Sequence, residues 1–231
     1  MSYKMATCRK NKSGMTLIEI LIAVAIMGAI TVVAYMAFYA VSSAWQRMNA
    51  LTEDMHHGDF VMDQIVMALR SSYYPNGRKS AEFGFVEIKD KEGINASDKI
   101  SWVKVGSAVV GKDCQFAGTP HRLEISLEQD DKGEPGVAYK AWRLQGQPED
   151  FDPDSIEPIM LSKRVIGFNV RTAYKIKDGE MDWLEKWEDV NTNKLPLVVE
   201  VTLQLAPIEK GSNPIEIKRI CSIPTGPLSW N

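Results

Sequence analysis

Hydrophobic and polar positions divide the chain into a long helical segment followed by a strand-rich region. Residues 20–46 contain no charged side chain, and about 20 apolar residues are enough for a helix to span a bilayer. Further along, an apolar side chain recurs every seven residues, at Met48, Met55, Met62 and Leu69. This spacing predicts that the helix continues in amphipathic form. We therefore predict one helix over 15–69, about 80 Å long.

The helix is predicted to end at Ser71–Gly77, where proline and glycine follow in close succession. Beyond this point, alternating and β-branched residues predict strands separated by turn signals. The predicted strands are 82–88, 100–110, 122–128, 137–144, 160–175, 197–206 and 215–222. The fold class expected is α+β, with the long N-terminal helix packed on an antiparallel β-sheet domain.

These elements predict four parts in a chain of 231 residues. We expect a leader at 1–14, a membrane or filament-core helix at 15–44, and its amphipathic continuation at 45–72. The remaining residues, 73–231, are expected to form one globular β-rich domain, which is an ordinary size for a single core.

A single acid, Glu19, lies at the start of the apolar run, five residues after Gly14. A carboxylate at membrane depth costs about 2.5–3.5 kcal/mol, so Glu19 is expected to have a partner and a function. Two ordinary alternatives exist. One is a signal anchor with an accidental acid, and the other is a secretory signal peptide, whose apolar core is about 7–15 residues and ends in a small-residue cleavage site.

The stretch Gly14-Met15-Thr16-Leu17-Ile18-Glu19, with the apolar run after it, resembles the class III signal of type IV pilins and type II secretion pseudopilins. The resemblance implies cleavage after Gly14 by a prepilin peptidase, which also N-methylates the new first residue, Met15. Methionine stands where that family usually has phenylalanine. The resemblance also implies that Glu19 sets the register of the filament by pairing with the new amino group of a neighbouring subunit. An ammonium and a carboxylate, each costly alone, neutralise one another there.

Two later segments, Leu161–Val170 and Leu195–Leu203, flank Trp183 and Trp187. This order is similar to the carboxy-terminal half of the J-type minor pseudopilins of type II secretion systems. The resemblance implies a structural subunit of the pseudopilus tip, whose partners are I- and K-like minor pseudopilins, the major pseudopilin and the prepilin peptidase. The alternatives are a minor pilin of a type IV pilus, acting in adhesion, motility or DNA uptake, and a membrane-anchored periplasmic enzyme.

Charge is distributed unevenly between the leader and the rest of the chain. The leader carries four basic residues and no acid, so its removal takes the formal net charge from −3 to −7. Because positive segments stay cytoplasmic, we expect a single-pass protein whose C-terminal domain is exported. The resemblance implies that the membrane is the bacterial inner membrane, that the domain is periplasmic, and that the chain assembles into a pseudopilus. An acidic body argues against binding nucleic acid.

Three cysteines are present, of which Cys8 would leave with the leader. Cys114 and Cys221 would then share an oxidising compartment, where they form either one disulfide or two separate buried thiols.

Trp183 and Trp187, four residues apart, have two interpretations. Either they form a corner of the core, or they anchor a neighbouring subunit, because aromatic residues are enriched at interfaces.

Catalytic chemistry is not indicated by the sequence. It contains no phosphate-binding loop, nucleophile elbow, zinc-protease or dinucleotide motif, and we expect no enzyme activity and no cofactor. The adjacent His56 and His57 point to different helix faces and do not form a chelating pair. The loop with Asp150, Asp152 and Asp154 is either solvated or a weak Ca²⁺ site.

Overall fold

The computed structural model describes residues 14–75, 81–177, 180–184, 186–187, 194–208 and 211–224. The predicted leader, apart from Gly14, lies outside the described residues, as does Cys8. The chain divides into two compact units between Ala50 and Leu51, and each is described by itself.

The predicted helix is confirmed as α1, Leu17–Arg70. No proline interrupts this stretch, and its apolar residues propagate the helix without a break. It ends at two serines, where Ser71 Oγ donates to Ala68 O at 2.9 Å and Ser72 Oγ donates to Leu69 O at 2.5 Å. These bonds satisfy two of the carbonyls that a helix end leaves open.

The second unit contains two antiparallel sheets, which confirms the α+β prediction. One has the order β1-β2-β3-β4-β5, with strands Val86–Ile88, Lys99–Lys104, His121–Gln129, Pro135–Arg143 and Ile159–Ser162. The other has the order β7-β6-β8-β9, with β6 at Val165–Lys177, β7 at Glu180–Leu184, β8 at Val198–Leu205 and β9 at Ile215–Ser222.

Three strand predictions differ from the structure, and one strand was not predicted. The predicted strand 82–88 is a strand only over Val86–Ile88, because a short 3₁₀ helix occupies Ala81–Phe83. The predicted strand 100–110 ends at Lys104, because a turn-rich loop occupies 105–120. The predicted strand 160–175 is two strands, β5 and β6, which belong to different sheets. Strand β7 was not predicted, although the Asp-Gly dipeptide at 178–179 is a hairpin signal.

The core of the second unit lies between the last turns of α1 and the two sheets. Met62, Ile65 and Leu69 are fully buried with Trp102 and Phe168. The predicted seven-residue stripe is therefore only partly buried, since Met48 and Met55, at 53% and 45% exposure, face outward. Burial of large apolar side chains contributes about 1.5–3 kcal/mol each, so the second half of the stripe holds the helix on the domain.

A short crossing joins the two sheets at residues 96–98. Ser97 forms a parallel bridge with Phe168, whose N–H donates to Ala96 O at 2.7 Å. The buried Asp98 carboxylate accepts from Val170 N and from Lys89 Nζ, each at 2.7 Å. A buried carboxylate needs such partners, so this cluster fixes the first sheet against β6.

Candidate functional site

The N-terminus of α1 is closed by a reciprocal pair of side chains. The Glu19 carboxylate accepts through Oε2 from Thr16 N at 2.9 Å and from Thr16 Oγ1 at 3.0 Å. The Thr16 hydroxyl in turn accepts from Glu19 N at 3.4 Å. This is a capping box, in which an N-cap threonine and a glutamate three residues later satisfy each other's backbone N–H groups.

The capping box gives Glu19 polar partners within its own chain. A carboxylate near an apolar segment is less costly when donors surround it, and a negative charge in the first turn also favours the helix. The sequence analysis missed Thr16. The spacing Thr-x-x-Glu ahead of an apolar run is the signal that would have identified it.

Gly14 has no packing reason to be glycine. A Cβ built on Gly14 would meet nothing within 4 Å, and its φ is not in the left-handed region. The next residue, Met15, is 72% exposed. Packing against the described residues therefore does not require glycine here, and the cleavage role of Gly14 stays a prediction.

The first unit presents an apolar surface that none of its described residues, 14–50, covers. α1 contains an 18-residue window with a mean hydropathy of 2.6, of which 0% is buried. By length and composition, α1 is the one described helix that can cross a membrane. Exposed apolar surface of this size indicates a membrane or a protein partner.

Residues 9–35 match the family model of the prokaryotic N-terminal methylation motif, which covers Gly14, Met15, Thr16 and Glu19. The chain carries a prepilin-type signal. No curated protein matches the chain. The signal implies processing by a prepilin peptidase and assembly with other pilins, and the long helix on a β-rich domain is a pilin-like architecture.

Of the two alternatives for Cys114 and Cys221, the disulfide is not formed, and both described cysteines are free. Cys221 is buried in the core beside the helix, with Sγ 3.9 Å from Val66 O, and burial raises the pKa of its thiol. Cys114 lies half-buried in the 105–120 loop. The sequence has the right number of cysteines for a bridge, but only the fold decides whether they meet.

The two tryptophans have different environments. Trp187 is fully buried and packs against Phe85 with ring centroids 6.1 Å apart, so its core interpretation is correct. Trp183 is half-buried on the edge strand β7, where the Arg171 guanidinium lies 4.8 Å from its ring centroid. Of the two tryptophans, only Trp183 is placed where the interface interpretation stays open, and that role remains a prediction.

The acidic loop holds no arrangement for calcium. Asp152 caps a short 3₁₀ helix by accepting from Asp154 N at 3.0 Å, and the described residues contain no group of three acidic, histidine or cysteine side chains placed to hold a metal. The weak Ca²⁺ prediction for Asp150, Asp152 and Asp154 is therefore not supported by the geometry. The Asp152 carboxylate instead accepts a hydrogen bond from the backbone of its own loop.

A buried pair that sequence analysis did not identify lies where β2 and β3 meet. Lys104 and His121 are both fully buried, are partners in the strand register, and have Nζ and Nε2 3.3 Å apart. Burial lowers the pKa of Lys104 to about 8, and burial lowers the pKa of His121 as well. No local pattern marks a buried lysine, because its burial follows from the strand pairing.

We expect Lys104→Met to stabilise the protein at pH 7 by about 1–3 kcal/mol, because it replaces a buried ammonium by an apolar side chain of similar shape. In the wild type, the folded pKa lies below the unfolded value of 10.5, so the unfolded state binds more protons between about pH 8 and pH 10.5. The contribution of Lys104 to stability therefore rises with pH across that window. Denaturant unfolding of the full chain in detergent at pH 7 and pH 10 measures this rise, which the variant should lack.

Proposed function

We propose that the chain is a minor pseudopilin, most similar to the J type, and a structural subunit at the tip of a type II secretion pseudopilus. The observation that carries the proposal is the prepilin-type signal directly ahead of an exposed helix of membrane length. Such a helix stays in the inner membrane until assembly and then packs among the helices of other subunits. We propose that the chain acts by binding other subunits of the filament and that it is not an enzyme.

The geometry at Thr16 supports a role for Glu19 in this assembly. Among the described residues, both donors to the Glu19 side chain bind Oε2, which leaves Oε1 available to a donor from another chain. Cleavage after Gly14 creates a positive amino group on Met15. We propose that this group of one subunit pairs with Oε1 of the next and so fixes their axial register.

The segments on which the J-type resemblance rests lie side by side in the second sheet. Strand β6, which carries Gly167 and Phe168, pairs along its length with β8, where Val199 faces Thr172. The tryptophan-bearing strand β7 pairs with the other edge of β6. Segments far apart in the sequence thus form one continuous sheet.

Co-purification with candidate partners tests the proposal. We expect the full chain, extracted in detergent, to form a stable complex with the I- and K-like minor pseudopilins encoded nearby. Trp183→Ala should weaken that complex, because Trp183 is a half-exposed aromatic on an edge strand. The matched control is Trp142→Ala, a half-buried tryptophan of the other sheet, which should leave the complex intact.

Failure to bind these partners would contradict the secretion assignment. Co-purification with pilus components instead would identify a minor pilin of a type IV pilus, which shares the same signal and architecture.

A further inference from the structure

A cavity of about 670 Å³ lies at the end of the first sheet where β3 begins and β4 ends. Pro120, directly before β3, and Arg143, the last residue of β4, form part of its wall. The wall is continued by Tyr73 and Pro75, which follow α1, and by Phe83. Ligand-binding cavities usually measure about 300–1,000 Å³, so this one is large enough for a ligand.

Three aromatic rings in the wall of this cavity are held in place by their neighbours. The Phe83 ring centroid lies 6.2 Å from that of Tyr73 and 6.4 Å from that of Tyr74. Phe116 packs edge-on against the buried His121, with 5.3 Å between centroids. Tyr73 is 37% exposed, and Phe83 and Phe116 are half-buried, so part of each ring stays accessible to a ligand. Rings that are fixed in advance lose little side-chain entropy on binding.

The composition of the wall is typical of sites that bind proline-rich peptides. Pro75 and Pro120 line the cavity together with the three rings. Proline-rich segments dock in aromatic-lined grooves because they form a polyproline II helix before they bind, and so lose little entropy. A peptide of this kind therefore matches the apolar part of the wall.

Hydrogen-bond donors for such a peptide are also present. A polyproline II helix has no internal hydrogen bonds, so its backbone carbonyls accept from outside the helix. Gln115 and Gln145 line the cavity, and their side-chain amides form no hydrogen bond with any described residue. Each amide carries two N–H groups that can donate to a peptide carbonyl.

Arg143 gives the cavity a positive charge. Its guanidinium lies over the Phe116 ring, 5.8 Å from the ring centroid, and a stacked guanidinium keeps its in-plane N–H groups for hydrogen bonding. Among the described residues, no carboxylate forms an ion pair with Arg143, and no acid lines the cavity. A guanidinium binds a carboxylate through two parallel hydrogen bonds, so the occupant that complements this wall carries an acid.

We propose that this cavity binds an extended, proline-containing peptide segment of a partner protein, with an acidic residue at one end of the segment. The prolines pack against Tyr73, Phe83 and Phe116, and the acidic side chain pairs with Arg143. All of these residues belong to the second unit, and the inference does not depend on the proposed filament role.

Fluorescence anisotropy with the full chain in detergent tests the proposal, at low salt because salt screens an exposed ion pair. The probes are two dye-labelled peptides, Glu-Pro-Pro-Leu-Pro-Pro and Pro-Pro-Leu-Pro-Pro-Glu, which place the acid at either end. We expect at least one of them to bind with a Kd below about 1 mM. Replacing its glutamate by glutamine should weaken binding about fivefold. Replacing its prolines by alanine should weaken binding about tenfold, because the peptide is then no longer preorganised.

Arg143→Gln separates recognition of the acid from a general effect on the domain. This variant should bind the acidic peptide about fivefold more weakly than the wild type does. For the glutamine peptide the change should be less than about twofold, because that peptide has no carboxylate to pair. The matched control is Arg171→Gln, an exposed arginine 4.8 Å from the Trp183 ring centroid that does not line the cavity. It should leave both affinities unchanged.

Three results would overturn the proposal. The first is that neither peptide binds at concentrations up to about 1 mM. The second is that the glutamine or the alanine peptide binds as tightly as the acidic one, because the cavity would then recognise neither charge nor proline. The third is self-association of the chain that Arg143→Gln abolishes while neither peptide binds, which would assign the cavity to a second copy.

Discussion

Glu19→Gln is expected to lower incorporation of the chain into a filament by more than about tenfold, while cleavage after Gly14 continues. Glutamine keeps an acceptor oxygen at the third helical position, so it retains the capping box with Thr16. It loses the negative charge that is proposed to pair with the Met15 amino group of a neighbour. The amino group would then remain unpaired at membrane depth, which is costly.

Glu19→Ala separates the two roles of the side chain. Alanine removes both the charge and the cap, so it should fail in assembly as glutamine does. If capping alone were needed, glutamine would assemble normally and alanine would not. Normal incorporation of either variant would contradict charge pairing.

The measurement is the fraction of the chain in sheared filaments, with cleavage followed by the mass of the mature N-terminus. Glu53→Gln is the matched control, since Glu53 is an exposed acid on the same helix. It should assemble and be processed like the wild type.

Gly167→Ala is expected to lower the free energy of unfolding by about 2–4 kcal/mol. A Cβ at Gly167 would lie 2.1 Å from Ile94 O and 3.1 Å from Gln204 Cβ. The first contact is a backbone oxygen, which cannot move without displacing the 96–98 crossing that joins the two sheets. Ordinary stabilities are about 5–15 kcal/mol, so this is a large fraction of the total.

Urea unfolding of the full chain in detergent, followed by the fluorescence of the buried Trp102 and Trp187, measures the loss. Gly118→Ala is the control, because a Cβ there would meet nothing within 4 Å and its φ is not left-handed. It should change stability by less than about 0.5 kcal/mol. A similar small effect at Gly167 would refute the close-approach explanation.

The helix and most of the strands were predictable because their signals are local. The bounds of α1 differ from the predicted 15–69 by at most two residues, since its apolar run, its amphipathic continuation and the stop signal at 71–77 are each contiguous in the sequence. The break between β5 and β6 was not predictable in this way. Lys163 and Arg164 interrupt a continuous β-rich pattern, and only the separation of the two sheets shows why.

The prepilin-type signal was predictable from the sequence, because its residues are contiguous. Gly14, Met15 and Glu19 lie within the matched segment, and their proposed roles in cleavage, methylation and register rest on it. The role of Thr16 was not predicted. The hydrogen bond from its hydroxyl to the Glu19 carboxylate became evident only from the structure.

The sequence by itself determined the membrane-length helix, the prepilin-type signal and the β-rich character of the domain, since each follows from neighbouring residues and their period. Tertiary structure alone decided that Cys114 and Cys221 do not meet, that Trp187 is core while Trp183 is at an edge, and that Lys104 is buried against His121. The physical reason is that these features depend on which distant segments pair. Strand order and the approach of one sheet to the other set those distances, and no local pattern encodes them.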